Sequence, residues 1–403
     1  MMKSITKVEK ALKDFKAGKM LVVTDNEDRE NEGDLILSAS KTTPEKINFM
    51  TKYGRGLICV ALEPKICERL LFNVMVKNNT ERYRTAFLES VDIRKGTSTG
   101  ISAFDRATTI KALLNSKAKK EDFVSPGHVF PLRARPGGVL ARSGHTEAAV
   151  DLALLSGQEG AGVICEILQE DGHMARGKTL KEFCHKHRLG KISIQDLIKY
   201  RCSQEEIVKK TADATLPTKF GKFKVTIYKA IYNRGETLLA LTLGLIKGKV
   251  NVLTRIHSEC LTGDTLFSDR CDCGKQLELS FKKISEKGAG VIIYLRQEGR
   301  GIGLEEKIKA YALQDKGLDT VEANNELGYP ADIREYSLAA QVLKQMNIDK
   351  IQLLTNNPDK ISELEELGVK ISKRIPLITK PKKENLKYLR TKRDKLGHLI
   401  ENL

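Results

Sequence analysis

The segment SQEEIVKKTADATLP at residues 203–217, with GKFKVTIYKAIYNRG at 221–235 behind it, divides the chain in two. The first segment keeps no hydrophobic period and ends at Pro217, whereas the second is a strand pattern punctuated by glycine. Upstream, helical and extended patterns alternate: VEKALKDFKAG (8–18), MLVVTD (20–25), PEKINFMTKYG (44–54), GLICVAL (56–62), HTEAAVDLALLSG (145–157) and AGVICEIL (161–168). Downstream they alternate again, through LELSFKKISEKG (277–288), AGVIIYLR (289–296), LEEKIKAYALQDKG (304–317), SLAAQVLKQMN (337–347), IQLLTNN (351–357) and PDKISELEELG (358–368). The halves do not resemble one another. The pattern predicts an α/β to α+β architecture of two unrelated domains, each a mixed sheet with flanking helices. Their expected bounds are 1–203 and 216–403, with 204–215 as a linker. TLKE (179–182) and SIQD (193–196) have the spacing of helix-opening capping boxes. In NNPDK, Asn357 can cap a helix whose first position is Pro358.

Composition narrows the function classes. The start, MMKSITKVEKALKDF, is Lys-rich and amphipathic, without the apolar region of a secretory signal. No apolar run approaches the roughly 18 residues that span a bilayer, and mean hydropathy is −0.33. A soluble cytoplasmic protein without a membrane partner is expected, and in that reducing compartment clustered thiols point to metal or catalysis rather than disulfides. The net charge of +17 attracts anions, but phosphorylated metabolites and nucleic acid answer to it equally.

Three of the eight cysteines, Cys260, Cys271 and Cys273, fall within RIHSECLTGDTLFSDRCDCGKQLE (255–278). Such spacing can bring three thiolates to one tetrahedral Zn2+, leaving one position open. Buried incidental thiols and a closed structural site completed by His257 are the rival readings. An open zinc site can activate water and polarise an electrophile. Further on, YLRQEGRGIGLEEKIKAY (294–311) runs from a strand through Gly299, Gly301 and Gly303 into a helix, where backbone N–H groups can approach an anion. With Arg255, Arg300 and Lys360, the set suggests a triphosphate ligand.

RIHSECLTGD, RCDCG.QL, LRQEGRGIGL, DTVEAN, LLTNNP.K and TK..KLGHL, in this order across nearly all of 216–403, resemble GTP cyclohydrolase II. That family opens the guanine ring of GTP, releasing formate and pyrophosphate. The resemblance implies Zn2+ on Cys260, Cys271 and Cys273, with Mg2+ accompanying GTP. It implies a GTP site from Arg255, Ile256, His257, Ser258 and Glu259, completed by Gln276, Glu298, Gly299, Arg300, Thr320, Thr355 and Lys360. Asp332 matches the family's proton acceptor, Arg334 the residue proposed to attack the α-phosphate, and Tyr311 a tyrosine near the ring. Because guanidinium stays protonated, an electrostatic role is the rival for Arg334. A packed core tyrosine is the rival for Tyr311.

In the first half, VVTDNEDRENEGD (22–34) sets Glu27, Asp28, Glu30, Glu32 and Asp34 within eight residues after an apolar strand pattern. Charge runs are ordinarily solvated loops, yet carboxylates this dense repel unless a cation joins them, and a hard divalent metal would. His128 and His145 lie in PGHVFPLRARPGGVLARSGHTEAAVDLA (126–153), a Gly/Pro-rich loop pattern running into a helix. RSGHT at the helix start, with Arg142 and Thr146, reads as a phosphate seat. Glu166, a carboxylate in an apolar strand, is a general acid/base candidate.

EDRENEGD, NNT, TGISA.DR.TT, PGHVFPL, GGVL.R.GHTEAAVDL and GV.CE, across roughly 5–202, resemble 3,4-dihydroxy-2-butanone 4-phosphate synthase. That family converts ribulose 5-phosphate to the four-carbon product plus formate, using Mg2+ or another divalent metal. The resemblance implies metal on Glu30 and His145, with Mn2+ tolerated. It implies substrate contacts from Arg29, Glu30, Asp34, Arg142, Ser143, Gly144, His145 and Thr146, and His128 and Glu166 as the catalytic pair. Where the family usually has DDED this chain has DNED, with Asn26. A bifunctional enzyme supplying both riboflavin precursors is the expectation, as a homodimer without nucleic acid. The rivals are a first half surviving as a scaffold and a zinc-containing nucleic-acid-binding protein.

Overall fold

Apolar runs of the first half become strands buried on both faces. The computed structural model describes residues 2–25, 29–81, 83–232 and 236–400, and the chain divides into two units, Met2–Arg201 and Cys202–Leu403. In the first, β1 (Leu21–Thr24), β2 (Gly33–Ser38), β3 (Cys59–Leu62), β4 (Val91–Ile93), β5 (Phe123–Arg133), β6 (Ala161–Glu166) and β7 (Gly190–Ser193) form one sheet in the order β4-β5-β3-β6-β2-β1-β7. The pairs β1/β7 and β3/β5 are parallel and the others antiparallel, so the sheet is mixed as expected. Val22, Leu35, Leu37, Val60 and Val163 pack with Ile47, Met50, Ile110 and Leu113 into one core. Nine residues of the helix His145–Leu155 are buried, which anchors its first turn firmly.

The second unit holds β8 (Val208–Thr218), β9 (Gly221–Ala230), β10 (Thr237–Leu243), β11 (Val252–Ser258), β12 (Gly290–Leu295), β13 (Lys350–Leu354) and β14 (Lys370–Ile375) in the order β14-β13-β11-β12-β10-β9-β8. Strands β14, β13, β11 and β12 run parallel, and β12, β10, β9 and β8 antiparallel. Loops leaving the carboxyl ends of the parallel strands are where open sheets of this kind place ligands. Among the described residues no helix is long and apolar enough to cross a membrane.

Two expectations need correction. The supposed linker 204–215 is mostly strand, because β8 pairs with β9 along its length and the units part at Arg201/Cys202. Nearly all of β8 is exposed, so it carries none of the alternation that marks a half-buried strand. PGHVFPL is likewise strand rather than loop. There, side chains replace ladder partners: the Gly127 amide donates to Ser90 Oγ (3.1 Å) and the His128 amide to Asp92 Oδ1 (3.0 Å). Of the proposed caps, Ser193 and Asp196 exchange side-chain and amide bonds, and Asn357 caps a helix opened by Pro358. TLKE does not open its helix, which begins at Gly177.

Candidate active sites

Thr24 pairs with Gly33, so the acidic segment is the turn of the β1/β2 hairpin. Asn26, Glu27 and Asp28 lie outside the described residues. Asp25 organises the turn, accepting from Arg29 (3.0 Å), the Glu30 amide (3.0 Å) and the Glu32 amide (2.9 Å). Glu30 then faces His145, with Oε2 3.7 Å from Nδ1, and Asp34 lies 3.9 Å from the same nitrogen. His145 Nε2 stands 3.2 Å from the Val23 carbonyl. It donates there, so the second proton sits on Nδ1, facing the carboxylates, and Nδ1 offers its lone pair once that proton leaves.

Ligand atoms of Asp25, Glu30 and His145 lie within 4.8 Å of one another, a donor set that fits a divalent cation. Burial alone would depress the His145 pKa, but Asp34, Glu30 and Asp25 push it up to about 9. Burial raises Asp34 to about 7 against the pull of His145. The imidazolium therefore stabilises the fold below its unfolded pKa of 6.5, a contribution lost as pH rises through about 9. A cation must displace that proton. Mn2+ affinity is expected to strengthen roughly tenfold per pH unit up to that value, with one proton released per ion. Calorimetry in buffers of differing ionisation heat reads both, and an affinity independent of pH would remove His145 from the metal site.

Glu166 ends β6 directly across from Asp34. It is half-buried, and its Oε2 accepts the Leu57 amide at 2.8 Å. A Cβ on Gly56 would stand 2.4 Å from that oxygen and 2.6 Å from the Glu166 carbonyl, so only glycine fits. Gly56→Ala is expected to cost about 1–3 kcal/mol, the usual penalty of overpacking, read as a lowered urea midpoint. An unchanged midpoint would mean that the loop yields freely.

Arg142 donates to Glu147 (2.6 Å), Thr85 Oγ1 (2.9 Å) and the Tyr83 carbonyl (3.3 Å). Tyr83 in turn donates to the Arg29 carbonyl (2.8 Å) and underlies the Arg29 guanidinium. These contacts tie the RSGHT helix start to the acidic turn. Ser143 is exposed, Gly144 is the N-cap without a capping side chain, and Thr146 is buried in the first turn. His128 lies on β5, two strands from Glu166, with Nδ1 2.7 Å from Asp92 Oδ2. That carboxylate orients the ring.

In the second unit β11 projects Arg255 and His257 to one face. Ile256, between them, is fully buried, and its carbonyl accepts Lys360 Nζ at 2.7 Å. The sulfurs of Cys260, Cys271 and Cys273 lie within 4.8 Å of one another, and the first two are 3.6 Å apart. Tetrahedral Zn2+ with bonds of about 2.3 Å requires sulfurs about 3.8 Å apart, so the trio fits. Hydrogen bonds from Cys271 and Cys273, with the nearby Lys307 ammonium, favour the thiolate at Cys260. Lys307 Nζ reaches Cys260 Sγ (3.2 Å), Thr262 Oγ1 (3.0 Å) and Glu298 Oε1 (2.7 Å). His257 does not join the trio, because both of its nitrogens are engaged elsewhere: Nε2 with Asp264 (3.0 Å) and Nδ1 with Arg255 (3.3 Å). The remaining cysteines, Cys59, Cys67, Cys165, Cys184 and Cys202, are unbridged and at least half-buried.

A cleft opens beside the thiols. Ser258, Glu259, Gln276, Thr320 and Thr355 line it, as do Gly299, Arg300 and Tyr311. Gly299, Arg300, Gly301 and Gly303 all have positive φ, between 61° and 98°, which turns successive backbone amides into the loop. Buried Arg255 Nε and Ser258 Oγ have no hydrogen-bond partner among the described residues, as expected of groups awaiting a ligand. Glu298 instead serves the protein, accepting from Lys307 and from the Leu261 amide (2.6 Å). Tyr311 OH meets Thr262 Oγ1 at 3.2 Å at the wall of the cleft. Arg334 grips Asp332 through Nε (2.8 Å) and Nη2. Burial alone would raise the Asp332 pKa, but Arg334 holds it below the usual range. The pair also keeps Arg334 protonated, its pKa raised in spite of burial.

Sequence reasoning missed Asp92, Tyr83, Asp264, Lys307 and Lys392. Only Asp264 carried a local signal, standing one helical turn after Cys260.

The family model described as 3,4-dihydroxy-2-butanone 4-phosphate synthase matches residues 9–200, and that described as GTP cyclohydrolase II matches 209–376. The riboflavin biosynthesis protein RibBA of Aquifex aeolicus is 54% identical, covering 98% of this chain and 97% of its own. Its counterpart in Bacillus subtilis is 52% identical, covering 98% of each. Among solved structures, RibBX of A. baumannii, a two domain 3,4-dihydroxy-2-butanone 4-phosphate synthase, matches with a TM-score of 0.73 at 36% identity, covering 91% of this chain and 99% of that one.

Proposed function

Because the chain belongs to the riboflavin biosynthesis proteins that join a 3,4-dihydroxy-2-butanone 4-phosphate synthase to a GTP cyclohydrolase II, we propose that its two sites divide the chemistry residue by residue as follows. The chain is both lyase and hydrolase. It converts ribulose 5-phosphate to 3,4-dihydroxy-2-butanone 4-phosphate and formate, and GTP to 2,5-diamino-6-ribosylamino-4(3H)-pyrimidinone 5′-phosphate, formate and pyrophosphate.

In the first unit Glu30 and His145 would hold Mg2+ or Mn2+, which supplies a positive charge for an enolate oxygen. Asp25 and Arg29 fix the turn that presents Glu30. The amides at the head of the helix His145–Leu155, together with Arg142, Ser143 and Thr146, would seat the sugar phosphate. Glu166 would move protons at the carbons flanking the carbonyl, and His128, oriented by Asp92, would serve a second transfer. Asp34 would accept a substrate hydroxyl.

In the second unit the three thiolates would hold Zn2+, which supplies Lewis acidity at an open fourth position. Arg255, Gln276 and Ser258 would hold the nucleotide, and Tyr311 would lie by the ring. Arg300, Lys360 and Arg334 would take the phosphates. The grip of Asp332 supports Arg334 as an electrostatic stabiliser, since a protonated guanidinium offers no lone pair for attack. Asp332, ionised, would accept a proton. A homodimer, Mg2+ arriving with GTP and a cytoplasmic location complete the reading. The eight unbridged cysteines support a reducing compartment.

The observation that carries the second activity is the trio of convergent thiols beside a cation-lined cleft. Incubation with GTP and separately with ribulose 5-phosphate, in Zn2+ and Mg2+, is expected to give formate from each. Formate from only one would reduce the other unit to a scaffold.

A further inference from the structure

The carboxyl-terminal segment TKRDKLGHLI (391–400) folds back onto the nucleotide cleft. Lys392, although it follows an exposed basic stretch, is buried and donates to Asp272 Oδ1 at 2.7 Å. Asp272 sits between Cys271 and Cys273 and also holds Gln276 at 2.6 Å, so the segment is fastened to the thiol loop. At its far end the Leu399 amide donates to the Asn356 carbonyl (2.8 Å), and the His398 amide to the Lys392 carbonyl (2.9 Å). These two anchors leave the His398 side chain lining the cleft.

The imidazole has no hydrogen-bond partner among the described residues, and near it Arg300 and Lys360 donate only to the Ala331 and Ile256 carbonyls, which leaves their charge without a carboxylate. Burial, with Lys392, Arg334, Arg300 and Lys360 close by, keeps the ring neutral, its pKa pushed down to about 2. A neutral imidazole retains one N–H donor, and gathered positive charge calls for an anion. Resting on the assignment of GTP to this cleft, we propose that the segment 391–400 is the outer wall of the phosphate site and that His398 donates a hydrogen bond to a phosphate oxygen of the nucleotide. Neither Lys392, committed to Asp272, nor Arg334, committed to Asp332, is free to turn away, so the wall is preorganised for the triphosphate rather than the base.

The test uses the zinc-loaded full chain with His398→Ala and the donor-retaining His398→Gln, reading formate from GTP and competitive inhibition by pyrophosphate and by guanosine. A lost hydrogen bond to a charged group corresponds to roughly ten- to hundredfold weaker binding. His398→Ala is expected to raise KM for GTP and Ki for pyrophosphate by that factor, to leave Ki for guanosine and the zinc content unchanged, and to be partly restored by His398→Gln. Equal weakening of guanosine, or no change in pyrophosphate inhibition, would overturn the proposal. Absence of formate from GTP with the unsubstituted protein would instead overturn the assignment of GTP, a separate result.

Discussion

Replacing Cys271 by serine is expected to abolish formate release from GTP while leaving that from ribulose 5-phosphate intact. Cys271 is buried with its sulfur 3.6 Å from Cys260, and the neighbouring His257 is not available to replace it, being held by Arg255 and Asp264. Serine preserves the volume but offers a hydroxyl that is not deprotonated at neutral pH and binds Zn2+ poorly. Zinc content should fall from near one equivalent to near none. Loss of a Lewis acid worth several kcal/mol of transition-state stabilisation lowers the rate by on the order of 10^3-fold or more. The two sites lie in separate units with separate cores, so the sugar phosphate reaction is the internal control for folding. If the variant kept its zinc and its hydrolysis of GTP, the three-thiolate site would be wrong. The A. baumannii protein is described as a two domain synthase, so the hydrolase activity of this second unit is the point that most merits measurement.

Glu30→Gln should do the converse. The amide keeps the shape of Glu30 and can still accept from Arg29, 2.9 Å away, but it removes the charge that faces His145 and any cation between them. Synthase activity is expected to fall by on the order of 10^3-fold, for the same Lewis-acid reason, and Mn2+ binding to the first unit should vanish. Formate from GTP should be unaltered. Glu30 is the residue to change because Asp25 already spends both oxygens on the turn, and Asp34 tends towards its neutral form, burial raising its pKa to about 7. Should the variant bind Mn2+ normally and still release formate from the sugar phosphate, the metal would lie elsewhere. Should the unsubstituted first unit be inactive, the change at Asn26 would explain it better than any residue of the described site.

The sequence by itself determined that there are two α/β units and which residues crowd together along the chain. Hydrophobic periodicity is a local property, and runs such as AGVICEIL and AGVIIYLR announce buried strands wherever they are placed. It likewise determined the three cysteines, whose spacing of ten residues and one brings them within a short loop and the first turn of the helix Cys273–Lys287. Tertiary structure alone decided what the neighbours of these residues do. The identity of β8 was hidden because an edge strand exposed on both faces need bury nothing, and its ladder bonds leave no trace in side-chain pattern. That His257 stands apart from the three thiols depended on Asp264 and Arg255 taking both of its nitrogens. The pairing of His128 with Asp92, and of Lys392 with Asp272, joins positions 36 and 120 residues apart. Such contacts depend on strand register and on which loops meet at a sheet's edge. A charged side chain reads as solvated in sequence until the fold removes its water and leaves it one partner.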